Sequence, residues 1–292
     1  MNPQERVLPL PVPEAPWPTF PPQLSEEEFS SFCRLIHRHA GIYLSAQKKA
    51  LVQARLGKVV QTLGLRSFQE YYRRVVADKS GQELARLLDA ISTNQTAFWR
   101  EPNHFLLVSR EILPNWYRQK RAGLNWRFWS AGCSSGEEPY TLAMVLLETL
   151  PADEIKNVKI FASDLNTQVL AQAKRGVYPE ARIRPLPAEW RQRFFQKGQG
   201  RWEGYVRVRP EVRKLVHFFH LNLMDDFEFH EELDLIFCRN VMIYFDKETQ
   251  AKVVGKFYRA LRTGGCLILG HSESLCNLPH RFIYVRPTVY RK

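Results

Sequence analysis

From Trp129 to Thr141 the chain reads Trp-Ser-Ala-Gly-Cys-Ser-Ser-Gly-Glu-Glu-Pro-Tyr-Thr, a run of small residues ending in two carboxylates. An apolar extended stretch at 126–129 enters the run. A helical pattern over 138–150 leaves it, with Leu142, Met144, Val145, Leu146 and Leu150 at its apolar positions. Gly132 and Gly136 allow the backbone to turn tightly and to approach a ligand without a side chain in the way. Strand, glycine loop and helix together are how an open α/β sheet holds a nucleoside-bearing cofactor at its carboxyl edge. The loop lacks Gly-Lys-Ser/Thr, so it is not a phosphate-gripping P-loop. Glu137 and Glu138 would repel a pyrophosphate. A cationic cofactor without phosphate suits them better, and S-adenosylmethionine is one. The same residues would also serve as a plain strand-to-helix turn, and the loop alone does not choose between the two.

Asp164 follows a β-rich run at 158–162. An acidic residue in that place can accept both ribose hydroxyls of a nucleoside. It could equally cap the helical stretch 166–175, and the two roles are compatible. Further β-rich runs at 233–238 and 266–270 end in Arg239-Asn240 and His271-Ser-Glu-Ser, with a helical stretch at 247–261 between them. This alternation predicts a parallel sheet covered on both faces, with ligand groups at the carboxyl ends of its strands. The segment 176–216 departs from it. Its glycine-rich stretch 196–204 leads into the clean alternation Tyr205-Val-Arg-Val-Arg209, which predicts an inserted antiparallel hairpin.

The first hundred residues differ in character. Residues 8–22 are rich in proline and are expected to be unstructured, as part of a tail over 1–22. Ser25-Glu-Glu-Glu28 forms a capping box for a helix carrying Phe29, Phe32, Leu35 and Ile36. A second amphipathic helix is expected over 46–63, with Leu51, Val52, Leu56, Val59, Val60 and Leu63 apolar, and further helices over 67–76 and 82–91. The chain therefore divides into a helical domain at 23–100 and an α/β domain at 101–292 with a β-subdomain at 176–216. Lys plus Arg exceed Asp plus Glu by 42 to 30 across 292 residues, a net charge of +12. Such an excess points to an anionic partner without naming it. The five cysteines form no Cys-x-x-Cys pair, so neither a disulfide framework nor a zinc site is expected. Seven of the eight histidines, at 37, 39, 217, 220, 230, 271 and 280, show no ligand spacing. No apolar run reaches the length of a membrane helix and no export signal is apparent, which suits a cytoplasmic protein with reduced thiols.

Four stretches taken together resemble the CheR-type chemotaxis receptor methyltransferases. They are Ser92-Thr-Asn-Gln-Thr-Ala-Phe-Trp-Arg-Glu101, the loop Ser130 to Tyr140, Phe161-Ala-Ser-Asp164, and Ile236-Phe-Cys-Arg-Asn-Val-Met-Ile-Tyr-Phe-Asp246. The similarity runs from about Leu24 to the C-terminus and includes Gly264-Gly-Cys-Leu-Ile-Leu-Gly-His-Ser-Glu273. The resemblance implies a helical N-terminal domain and a Rossmann-like methyltransferase domain with a small antiparallel β-subdomain. It implies transfer of a methyl group from S-adenosylmethionine to glutamate side chains of chemoreceptors, leaving S-adenosylhomocysteine and a glutamyl methyl ester, with no metal. Arg100 and Tyr244 match residues beside the methyl group. Asn94, Thr96, Arg100, Ala131, Glu138, Asp164, Asn222, Leu223, Arg239 and Asn240 match cofactor-contacting positions. For Glu137 a structural role is as good a reading as a functional one.

On the same resemblance, Arg100→Ala abolishes transfer and Tyr244→Phe slows turnover with little effect on cofactor affinity. Lys48, Lys49, Arg55 and Lys58 would meet the receptor's methylation helices, so that the receptor KM rises with ionic strength. Gly198, Gly200, Arg207 and Arg209 would receive a pentapeptide tail at the receptor C-terminus as an added strand. The enzyme is then expected as a monomer, recruited to membrane receptor arrays without inserting in the membrane. A nucleic-acid methyltransferase is the first rival. It is disfavoured because Asn240-Val-Met-Ile-Tyr244 lacks the prolines of amino-directed enzymes and Cys238 follows Phe237 rather than a proline. A non-catalytic receptor-binding module is the second.

Overall fold

The computed structural model describes residues 22–119 and 125–292. The proline-rich tail, apart from Pro22, lies outside the described residues. Helix α1 (Glu26–Ala40) starts at the expected capping box: Ser25 Oγ accepts from the Glu28 N–H at 3.1 Å and the Glu28 carboxylate accepts from the Ser25 N–H at 2.9 Å. It ends where Gly41 turns left-handed at φ 68°. A 3₁₀ turn, Ala46–Lys48, leads into α2 (Lys49–Thr62), so the regular helix begins later than the apolar pattern suggested. Helices α3 (Phe68–Ala77) and α4 (Gln82–Ile91) complete the bundle around Phe32, Ile36, Leu56, Phe68, Tyr71 and Leu87. Leu51 does not join this core; it is 39% exposed.

Helix α5 (Pro102–Leu107) passes through a π turn, Val108–Ile112, into α6 (Leu113–Gln119). Strand β1 (Trp126–Ala131) then runs into the glycine loop and α7 (Glu137–Thr149). After the short α8 (Ala152–Ile155) come β2 (Val158–Asp164) and α9 (Thr167–Arg175). The inserted segment follows as β3 (Val177–Pro179), α10 (Ala188–Phe194), β4 (Phe195–Lys197), β5 (Tyr205–Val208) and α11 (Pro210–Arg213). The chain returns through β6 (Val216–His220), β7 (Leu233–Cys238), α12 (Lys247–Ala260), β8 (Leu261–Leu269), β9 (Ile283–Arg286) and β10 (Val289–Arg291).

The main sheet has the order β6-β2-β1-β7-β8-β10-β9. Its first five strands are parallel, and β10 and β9 close one edge antiparallel. Side chains alternate between two apolar layers: Trp126 and Phe128 enter one, Trp129 and Ala131 the other, and β7 and β8 divide the same way. The order reverses between β1 and β7, and the crevice at their carboxyl ends is the usual ligand place in such sheets.

Three expectations are corrected. The sheet is mixed rather than parallel, because no helix separates β8, β9 and β10 and the chain turns back on itself there; β9 reads Ile-Tyr-Val-Arg yet is exposed along its whole length. Strand β8 also starts five residues before the apolar run at 266; its polar beginning is held by the C-terminus, where Gly264 N–H donates to Lys292 O at 2.8 Å. The insertion is a three-stranded sheet ordered β3-β5-β4, not a two-stranded hairpin, since β3 is only three residues long. The alternation at 205–208 does hold: Val206 and Val208 point inward while Tyr205 and Arg207 are exposed.

Candidate active site

The loop after β1 is pinned to the end of β2. Gly132 and Cys133 N–H groups donate to Ser163 O at 2.8 and 2.9 Å, and the Ser134 N–H donates to an Asp164 carboxylate oxygen at 2.7 Å. Gly132 (φ 81°) and Gly136 (φ 95°) both occupy the left-handed region, as their spacing implied. A Cβ at Gly132 would collide with the Val241 side chain, and one at Gly136 would lie 2.9 Å from Ala173 Cβ. Asp164 accepts a second N–H, from Asn166 at 2.8 Å, but α9 is capped by Asn166 itself, whose Oδ1 takes the Gln168 and Val169 N–H groups. Burial raises the Asp164 pKa against these two N–H bonds.

The two carboxylates of the loop diverge. Glu137 is fully buried away from the cavity, bound to Ser135 Oγ at 2.6 Å and paired with Arg182, so its role is structural. Glu138 faces the sheet edge, accepting from Ser130 Oγ at 2.7 Å and from Arg239 at 2.9 Å. Burial raises the Glu138 pKa and the Arg239 charge opposes the rise.

Arg239 is the hub of this corner. Its guanidinium is bound to Glu138, to Glu101 at 3.2 Å and to the Arg100 carbonyl, and it lies over the Phe105 and Phe237 rings. Burial pushes the Glu101 carboxyl upward, but Arg239 and Asn240 outweigh it, and the net shift is downward. Asn240, in the left-handed region at φ 60°, donates through its side chain to Glu101 at 3.3 Å, and its Oδ1 is buried without a protein partner. The segment 240–243 is held by Glu273, a residue that its chemistry alone did not single out. The Glu273 carboxylate accepts N–H bonds from Asn240 (2.7 Å), Val241 (2.9 Å), Ile243 (3.3 Å) and Gly270 (2.7 Å).

A cavity of about 340 Å³ opens between the helical bundle and the carboxyl edge of the sheet. The bundle side contributes Asn94, Thr96 and Arg100 from the segment after α4; the sheet side contributes Glu138, Asp164, Asn222, Leu223, Arg239, Asn240 and Tyr244. Ala131 ends β1 fully buried and does not line it; Gly132 and Ser134 do. Arg100 is placed by a bond to Gln95 O at 2.7 Å rather than by a surface ion pair. Asn222 is fixed to the bundle by donating to His39 O at 2.5 Å, and the strand segment at Ile42 pairs with Phe245 next to Tyr244.

The residues expected at the receptor fall outside the cavity, apart from Lys48. Lys48 and Lys58 are exposed, whereas Lys49 binds Glu26 at 2.6 Å and Arg55 donates to the carbonyls of Ile91 and Ser92. In the insertion, Arg207 and Arg209 are exposed, Gly198 packs against the Trp202 carbonyl, and Gly200 is left-handed at φ 58°. One histidine reading is corrected: the fold brings His271 together with Glu101 and His104, with potential ligand atoms within 4.8 Å of one another. No linear spacing could reveal this, because 170 residues separate Glu101 from His271. Arg239 shares the Glu101 oxygen of that group.

Comparison with known proteins agrees with this geometry. A family described as "CheR methyltransferase, SAM binding domain" matches residues 94–291, and "CheR methyltransferase, all-alpha domain" matches residues 27–92. A chemotaxis protein methyltransferase of Borreliella burgdorferi is 38% identical over 92% of this chain and 95% of its own. One from Salmonella typhimurium is 38% identical over 91% and 90%, and chemotaxis protein methyltransferase 2 of Pseudomonas aeruginosa is 40% identical over 91% and 93%.

Proposed function

Because the chain belongs to the CheR methyltransferase family, we propose a division of labour among its cavity residues that makes a receptor carboxylate the methyl acceptor. The protein is an S-adenosylmethionine-dependent methyltransferase of chemotaxis, and its substrate is a chemoreceptor. The residues present fit that cofactor. Asp164 offers buried carboxylate oxygens suited to a ribose diol, Leu223 and Leu221 offer apolar surface for a purine, and the orphaned Asn240 Oδ1 is an acceptor for an ammonium group. No Gly-Lys-Ser/Thr cradle for phosphate is present in the loop.

Bound here, the cofactor supplies a methyl group activated by its sulfonium charge. Everything else falls to positioning. A glutamate side chain with its ordinary pKa of about 4.3 is already ionised at neutral pH, so no residue has to remove a proton. Arg100 presents a forked guanidinium at the cavity and orients the carboxylate; an unduly tight pair would blunt its nucleophilicity, so alignment rather than affinity is its contribution. The Tyr244 hydroxyl is a second, milder donor. Holding the reactants in line is worth roughly 7–11 kcal/mol. Arg239 does not meet the acceptor; it neutralises Glu138 and Glu101 and fixes the Arg100 carbonyl. The observation that carries this reading is the convergence of Arg100 and Tyr244, 144 positions apart in the chain, on the cavity that also holds Asp164 and Asn222.

The finer partner reading places a pentapeptide receptor tail on an edge of the small sheet, formed by β3 or β4, within reach of Arg207 on the central strand β5 and of Arg209 just beyond it, both exposed. Calorimetry with an acidic, aromatic-containing pentapeptide is expected to give micromolar binding. Among the described residues no helix is long and apolar enough to cross a membrane; the reading places a monomer in the cytoplasm, drawn to receptor arrays by its substrate. The deciding experiment is incubation of tritiated S-adenosylmethionine with a receptor cytoplasmic fragment. Base-labile label on the fragment is the expected result. Alkali-stable label, or label on nucleic acid alone, overturns the carboxylate assignment.

A further inference from the structure

The basic face expected on α2 is not free to act as one surface. Arg55 closes the end of α4 through Ile91, Ser92 and Thr93, and Lys49 is paired with Glu26. What surrounds the cavity mouth is different. Tyr43, Leu51 and Ile243 are 62%, 39% and 48% exposed, and all three line the same opening together with Lys48. They come from the turn after α1, from α2 and from the segment before α12, so no local sequence pattern explains their meeting. Large apolar side chains that converge on one mouth beside a cation mark a surface that is covered in use.

We propose that this apolar rim seats the substrate helix. The occupant is an amphipathic receptor helix that sends one glutamate through the mouth towards Arg100. Its neighbouring turns lay apolar or small side chains on Tyr43, Leu51 and Ile243, and Lys48 meets a further carboxylate. Residues three and four apart lie on one helix face about 5–6 Å from each other, so the turns flanking a glutamate inserted in the cavity must land on its rim. Lys48 supplies charge complementarity, while the apolar contacts hold the docked helix. The inference rests on the methyl-transfer reading above and adds what selects the segment that is methylated.

The test measures kcat and KM for a receptor cytoplasmic fragment with the full-length protein, and the affinity for S-adenosylhomocysteine by calorimetry. Leu51→Ser and Ile243→Ser are each expected to raise KM roughly five- to thirtyfold. Cofactor affinity should not move, which also shows that the variants are folded, and Leu51→Met should restore KM. Lys58→Ala, and a change from about 50 to about 300 mM salt, should shift KM less than about threefold. Unaltered KM in both serine variants, or a larger effect of Lys58→Ala than of either, overturns the rim. If the unmodified protein labels no receptor at all, the methyl-transfer reading falls instead; normal labelling with indifferent rim variants sinks the rim alone.

Discussion

On the proposed reading, Arg100 and Tyr244 carry different shares of the same alignment. Removing a forked, charge-assisted donor leaves the acceptor carboxylate free to rotate, so Arg100→Ala should lower turnover by roughly a hundredfold or more, with Arg100→Lys recovering only part. The Arg100 carbonyl that Arg239 uses survives either change, so the Arg239 corner should stay in place. Tyr244→Phe removes one neutral-strength contact and should cost about tenfold in turnover. Rapid-quench measurement of the single-turnover rate checks both, and near-normal turnover in Arg100→Ala would remove the central role given to it. A second residue-scale effect comes from His104, buried beside Thr288 and Arg239 with its pKa pushed down to about 4, chiefly by burial. Its folded pKa lies below the ordinary value, so its stabilisation is complete above about pH 6.5 and is lost as pH falls towards 4. Between pH 7 and 5 the loss is about 2 kcal/mol. The raised carboxyls Glu138, Asp164 and Glu273 act in the opposite sense. A single pH curve therefore mixes both signs, and the comparison with His104→Gln isolates the histidine: the variant should lose the acid-side slope in urea denaturation, and an unchanged slope would clear His104 of it.

At the scale of elements, the backbone N–H groups of Asn240, Val241 and Ile243 are all held by one side chain. Four N–H groups converge on the Glu273 carboxylate, and Asn240 sits in the left-handed region at φ 60°, which asparagine adopts more readily than most residues. Glu273→Gln keeps the volume but turns one acceptor into a donor facing those N–H groups. It should reduce turnover more than tenfold and lower the unfolding midpoint by several degrees. Crystallographic displacement of Tyr244 would complete the case, and wild-type kinetics in the variant would end it. This pedestal was hidden in the sequence because Glu273 reads only as part of a polar tail after a strand. The glycine loop, by contrast, was legible: Gly132 and Gly136 stand where a strand pattern meets a helix pattern, and that pairing needs no distant partner. Strands β3 and β9 were not legible in their pairing: β3 is three residues long, and nothing in the Ile-Tyr-Val-Arg run of β9 shows that it turns back to pair antiparallel at the sheet edge. The basic face of α2 was legible as a charge pattern but misleading as a surface, since no periodicity shows that Arg55 reaches the carbonyls ending α4.

At the scale of the whole molecule, the cofactor cavity exists only where bundle and sheet meet, and one glycine governs that seam. Gly41 ends α1 in the left-handed region, and a Cβ there would lie 2.6 Å from Met224 Sδ and 2.8 Å from Thr249 Cγ2. Immediately beyond it, Ile42 bridges to Phe245 and the Tyr43 N–H donates to Tyr244 O at 2.8 Å, while His37 binds Asp246 at 2.7 Å, next to the start of α12. Thus the turn that closes the first helix also sets the backbone of Tyr244, which lines the cavity and is proposed to meet the acceptor. Gly41→Ala should push the bundle from the sheet without touching any cofactor-lining atom, both by overlap and by backbone strain of roughly 1–2 kcal/mol. Ligand that bridges the seam stabilises the folded protein by mass action, about 2.7 kcal/mol at a hundredfold excess over its Kd. In the unmodified protein, S-adenosylhomocysteine should therefore raise the midpoint of a single unfolding transition. In Gly41→Ala the bundle should melt earlier as a separate step, and the ligand should bind at least fivefold more weakly. Calorimetric scans with and without ligand decide it: one transition of equal midpoint in both proteins would show that bundle and sheet hold the cofactor independently of how Gly41 turns.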